Sequence, residues 1–187
     1  SLFDLADSLA DLMDEMQGEG VSPEAITSLD LETMSEHWTR TRSFISITER
    51  FFGSDAAFLD TQTRLRRMVQ ARIAYWQAHP PTHPIILAGS TGSRGTAQML
   101  MQAVAQLPQG AVVLPGFDFD MPVKTWAELS DAMTAEDHPQ FRFANFLEAL
   151  DLGPSDVAPW TTKPAPSPAR NRAVSLALRP APVTHAW

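Results

Sequence analysis

The sequence predicts an α/β fold that is predominantly helical: an all-helical region over residues 1–79, then an α/β region over residues 80–187 built on a short parallel sheet. Three observations predict it. Apolar residues recur at three- and four-residue spacing through most of the first region. The run His79-Pro80-Pro81-Thr82-His83-Pro84 then breaks that pattern. Beyond it, the apolar runs Ile85–Ala88 and Ala111–Leu114 enclose a glycine turn and one helical stretch, as a βαβ unit does.

Taken in order, Leu2, Leu5, Leu9, Leu12, Met13 and Met16 form one stripe of a first helix, which Gly18 and Gly20 stop. Ser22 before Pro23 is a capping residue followed by proline at a first helical position, and predicts a short helix there. Trp38, Ile45 and Phe52 repeat every seven residues, with Phe44, Ile47 and Phe51 beside them, so 36–52 reads as a helix with a buried face. Gly53-Ser54-Asp55 ends it. From Ala56 to Ala78, Leu59, Leu65, Met68, Val69, Ile73 and Trp76 keep helical period and are expected inside, with Arg64, Arg67 and Arg72 directed away.

Ile85–Ala88 is a continuous apolar run and reads as a strand buried on both faces. After the turn Gly89–Gly95, a helix over 96–107 directs Leu100, Met101, Val104 and Leu107 inward. Pro108-Gln109-Gly110 ends it, and Ala111–Leu114 is the second strand. Trp126, Leu129 and Met133 define a short helix, and Phe143, Phe146, Leu147 and Leu150 define another over 139–150. Residues 151–168 hold five prolines, too many for regular structure, and are expected to be extended. A last helix spans 169–178.

With 187 residues, 44% hydrophobic and 19% charged, the chain is long enough to bury a core and too apolar for disorder. It has no cysteine. That excludes a disulfide scaffold, a thiolate zinc site and a cysteine nucleophile within it, and suits a reducing compartment. No apolar run approaches the roughly 18 residues that span a bilayer, so no membrane partner is expected. The chain starts inside its first amphipathic pattern and stops on Trp187, and both ends read as cuts in a longer protein.

The net charge of -8 is unevenly spread. Residues 1–36 carry ten acids and no Lys or Arg, whereas residues 37–80 carry seven Arg and three acids. The total opposes general attraction to nucleic acid and leaves room for a local basic face. On such a face Arg64, Arg66, Arg67 and Arg72 would track phosphates; the plainer reading is a solvated helix surface.

The loop Gly89-Ser90-Thr91-Gly92-Ser93-Arg94-Gly95 has the small residues that let backbone N–H groups face an anion at a helix start. Its spacing matches neither a Walker A loop nor GxGxxG. It reads either as a tight strand-to-helix turn with left-handed glycines or as a phosphate site, and the latter would make the chain a stand-alone nucleotide- or phosphate-binding protein. Asp118 and Asp120 flank Phe119 beyond the second strand, where they either hold a magnesium ion or shape a turn. The five histidines show no HExxH motif, so zinc is not expected. No G-x-S-x-G elbow surrounds any serine, and Ser90 and Ser93 have no evident base, so no catalytic residue is assigned.

The run HPIILAGSTGSRGTAQMLMQAVAQLPQGAVVLPGFDFDMP from His83 to Pro122, with EDHPQFRFANFL and the closing ARNRAVSLALRPAPVTHAW, resembles AddB of the alphaproteobacterial type. The resemblance covers the whole chain. It implies a segment of a cytoplasmic, nucleoid-associated helicase-nuclease that uses ATP and magnesium to process double-stranded DNA ends for recombinational repair, with AddA as partner. It also implies that residues 1–79 are like a helicase insertion and residues 80–187 like part of a RecA-like core. The 4Fe-4S cluster and nuclease of that family lie outside this segment, which has no cysteine to hold a cluster. A working motor of this kind ends the strand corresponding to Ile85–Ala88 in Asp-Glu, which holds magnesium and water. Here the strand runs into Gly89-Ser90, which implies a noncatalytic scaffold.

Overall fold

In a computed structural model the chain is mostly helical, with a short two-stranded parallel sheet. The structure describes residues 2–22, 24–25, 28, 61–130 and 135–186. The helix expected over 36–52, the expected start of the next at 56–60, Pro23 and Met133 lie outside them. The chain divides into two compact units, Ser1–Tyr75 with Arg94–Thr96, and Trp76–Ser93 with Ala97–Trp187. Among the described residues no helix is long and apolar enough to cross a membrane.

In the first unit, α1 spans Leu2–Glu19. Met16 is buried, and Leu9, Leu12 and Met13 are half-buried on the expected stripe. The helix stops where the pattern stops. The Val21 N–H donates to the Met16 carbonyl at 2.8 Å and the Gly20 N–H to the Gln17 carbonyl at 3.2 Å, with Gly20 left-handed. These two bonds satisfy carbonyls that the helix cannot pair internally.

Helix α2 spans Thr61–Ala78. Its inner stripe is the expected one in part: Val69, Ile73 and Trp76 are half-buried, whereas Leu65 and Met68 are 46% and 64% exposed. The partly buried positions are Gln62, Thr63, Arg66, Val69, Ile73 and Trp76, and all but Thr63 form a stripe at three- and four-residue spacing that Leu65 and Met68 miss by one residue. Arg66 takes an inner place because its guanidinium donates to the Gly18 carbonyl at 3.1 Å, while its stem can lie along apolar surface.

In the second unit, β1 (Ile85–Ala88) pairs in parallel with β2 (Gly110–Val113), with Ile85 opposite Gly110 and Ala88 opposite Val113. Strand β1 is not buried on both faces as expected. Ile85 and Leu87 are half-buried while Ile86 and Ala88 are exposed, so one face alone meets the core. Leu114 lies just past β2 and packs into the core instead of extending the strand.

Helix α3 (Gly95–Ala105) makes the crossover, with Met101 and Val104 fully buried. At its far end the Leu107 N–H donates to Val104 and the Gly110 N–H to Leu107. Gly110 lies against the Val104 carbonyl so closely that a Cβ would occupy the same space.

Two adjoining clusters form the core of this unit. Met101, Phe146 and Leu147 pack with Leu87 and Val112. Met121, Trp126, Leu129, Phe141 and Phe143 form the other, and Leu114 and Phe117 belong to both. Each fully buried side chain of this size contributes about 1.5–3 kcal/mol relative to exposure. The second cluster comes from α4 (Val123–Ala127), the 3₁₀ turn Glu128–Ser130 that continues it, and α5 (Phe141–Glu148). Both helices were expected, with wider bounds. Beyond α5 the proline-rich stretch has one 3₁₀ turn, Pro154–Asp156, held by the Gly153 N–H on Asp156 Oδ2 at 2.7 Å, and no further helix or strand before α6 (Pro168–Ala177).

Candidate functional site

The glycine loop forms a fitted turn. Gly89 and Gly92 have φ of +83° and +67°, angles that residues with a Cβ seldom adopt. The Ser90 hydroxyl accepts the Gly92 N–H at 3.2 Å, and Gly92 is buried. Thr91, Ser93 and Arg94 are exposed.

At the first turn of α3 the Gly95 N–H donates to Glu19 Oε1 at 2.7 Å. The Thr96 hydroxyl donates to the Gly18 carbonyl at 3.0 Å, the same carbonyl that Arg66 reaches. The helix start that was a candidate for phosphate therefore holds a carboxylate from α1, and the helix dipole favours that anion as it would any other. Arg64, Arg67 and Arg72 lie exposed on α2, and the Arg72 guanidinium sits 5.9 Å from the centre of the Tyr75 ring. Arg66 is separated from them by its part in ending α1.

Asp118 and Asp120 fall on a turn after Gly116. The Asp120 N–H donates to Asp118 Oδ1 at 2.9 Å, the local bond that aspartate favours in turns. Among the described residues, no three His, Asp or Glu side chains gather as a metal centre requires. The turn is anchored by Gln140, which is 7% exposed: its Oε1 accepts the Asp118 N–H and its Nε2 donates to the Gly116 carbonyl, both at 3.0 Å. Gln140 is oriented in turn by its own N–H, which donates to His138 Nδ1 at 3.1 Å.

That bond makes Nδ1 an acceptor and leaves the proton of the neutral ring on Nε2. Burial holds the His138 imidazole below the ordinary histidine range; the Asp118 carboxylate and the Leu178 backbone favour the charged ring and offset part of this. The Leu178 backbone is near enough to act on the ring, yet Nε2 has no hydrogen bond of acceptable geometry.

These residues border a cleft of about 1080 Å³, lined by the segment 116–120, the turn at 138–140, residues of the proline-rich stretch and one side of α6. Ser175 on α6 also lines it, is 5% exposed, and has a hydroxyl with no hydrogen-bond partner. Sequence reasoning did not single out His138, Gln140, Ser175 or Trp160. The one available signal was Ser175, a polar residue inside the apolar run Val174, Leu176, Ala177 and Leu178.

Comparison of the chain with protein-family models, with curated proteins and with solved structures found no match.

Proposed function

We propose that the chain is a noncatalytic scaffold segment of an AddB-like subunit, part of a degenerate helicase core in a complex with AddA that processes double-stranded DNA ends in the nucleoid. The resemblance quoted above motivates the family. The observation that carries the scaffold role is the Glu19 carboxylate on the Gly95 amide, because an internal anion occupies the helix start that the glycine loop would otherwise offer to a phosphate. The absence of a carboxylate at the end of β1 agrees with it: Gly89 there turns the chain and offers no ligand for magnesium. On this reading ATP, magnesium and the 4Fe-4S cluster belong to other parts of the complex.

Two measurements test the reading. Calorimetric titration of the chain with ATP and magnesium is expected to give no saturable heat, and tight binding would favour a stand-alone nucleotide-binding protein instead. The encoding frame is expected to continue on both sides into motor-like and nuclease-like regions. A frame that closes at Ser1 and Trp187 would overturn the assignment.

A further inference from the structure

The turn that carries Asp118 and Asp120 is anchored by one buried side chain, and the backbone of that residue is bonded to a titratable ring. Gln140 spans the turn, accepting the Asp118 N–H on Oε1 and donating to the Gly116 carbonyl from Nε2, both at 3.0 Å. The Gln140 carbonyl accepts the Phe143 and Ala144 N–H groups at 3.0 and 2.9 Å, which ties it to the start of α5. Its N–H donates to His138 Nδ1 at 3.1 Å. The anchored turn also carries Phe117, which belongs to both core clusters, and the half-exposed Phe119, whose ring lies 4.9 Å from it. A change at His138 thus has a hydrogen-bonded route to the core, and this holds whatever the chain is a part of.

An imidazole accepts at Nδ1 only while that nitrogen carries no proton. The other nitrogen, Nε2, is buried beside the Leu178 backbone, which favours a proton there. A second proton must then go to Nδ1, where it meets the Gln140 N–H, and two donors cannot share one bond. Gln140 is buried, so its N–H cannot turn to water for a replacement without movement of the chain around it. We propose that His138 is a proton-operated latch: the neutral ring holds Gln140, and through it the turn from Gly116 to Asp120, and the charged ring releases that turn.

The charged groups around the ring set the sense of the latch. Asp118, Asp120, Lys163 and Arg170 line the same cleft as His138, Arg179 follows Leu178, and the exposed Glu136 and Asp137 precede the ring in its own turn. Of these, Asp118 bears on the ring and favours its charged form, but burial opposes that form more strongly. The latch is therefore closed at neutral pH and opens in acid, below the ordinary histidine range.

The test is a proton–nitrogen NMR titration of the whole chain from about pH 7.5 to about pH 5, with the His138 ring, the Asp118 and Gln140 amides and the Gln140 side chain followed together. All are expected to shift with one midpoint, below 6.5. Over the same range the exchange protection of the Asp118 amide, corrected for intrinsic rate, is expected to fall about tenfold. His138→Asn keeps a side-chain oxygen that can accept the N–H two residues on and has no proton to gain, so it is expected to retain protection at both pH values. Asp118→Asn, at an exposed turn, is expected to lower the common midpoint, because a carboxylate that favours the charged ring is removed. Asp118 and Gln140 amides that stay still while the His138 ring titrates would overturn the proposal. So would the same loss of protection in His138→Asn, or a midpoint that Asp118→Asn leaves in place.

Discussion

Glu19 and Gly95 are 76 residues apart in the chain and meet at 2.7 Å, carboxylate to amide. The contact does two jobs for α3. It satisfies an N–H that α3 cannot pair internally, and it places negative charge at the positive end of that helix. It also leaves little room, because a Cβ on Gly95 would lie 2.6 Å from Glu19 Oε2 and 3.1 Å from Glu19 Cα.

Removing the carboxylate should therefore cost what a helix cap is worth. Glu19→Ala is expected to destabilise the chain by about 1–2 kcal/mol in urea unfolding, and Glu19→Gln, which keeps an acceptor, by about 0.5 kcal/mol. Gly95→Ala is expected to destabilise too, and by less when combined with Glu19→Ala. Strict additivity in that double-mutant cycle would show that the two residues do not interact.

The turn after β1 permits conformation and packing to be measured separately. Gly89→Ala meets no atom within 4 Å, so its cost is that of a positive φ alone, about 1 kcal/mol. Gly92→Ala pays the same and also brings a Cβ to 3.3 Å from the Met101 sulfur, so it should be the more damaging of the two. Equal denaturation midpoints would show that the contact with Met101 is without consequence.

Stability should depend on pH through His138. Its folded value lies below the ordinary 6.5, so below about pH 6.5 the unfolded chain takes up the proton more readily than the folded one. Stability is then full above that pH, falls as pH drops toward the lowered folded value, and levels off beneath it. His138→Asn is expected to flatten this part of the curve, read as urea midpoints at about pH 7.5 and about pH 5. A slope unchanged by the substitution would assign it to another group.

A DNA contact through α2 would show in salt dependence. If Arg64, Arg67 and Arg72 each neutralise one phosphate in the complex, replacing all three by Glu should flatten the slope of log K against log salt by up to about 2.7. An unchanged slope would mean that the three exposed arginines form a solvated face.

Local features were the legible ones. The end of α1 at Gly20, the strand–turn–helix–strand order from Ile85 to Val113 and the left-handed glycines all follow from spacing and from residues that punctuate a chain. In α2 the inward place of Arg66 and the exposure of Leu65 and Met68 were not legible, because what draws Arg66 inward is the Gly18 carbonyl 48 residues away. Nor was the exposure of Ile86, since four apolar residues in a row do not reveal whether one face or two are covered. The Glu19–Gly95 contact and the cleft around Ser175 depend on residues distant in sequence meeting in space, which periodicity does not record.

Gly110 begins β2 with its backbone against the carbonyl of Val104. Main chain touching main chain sets the gap between helix and strand there, with no side chain to trim or enlarge. Over generations of neutral drift Met101, Leu87 and Val112 can exchange for other apolar residues so long as their joint volume is kept. Position 110 has no such latitude. In a library evolved only for folded protein it should remain glycine after the neighbouring core has diversified, the fixed point around which the rest of the crossover varies.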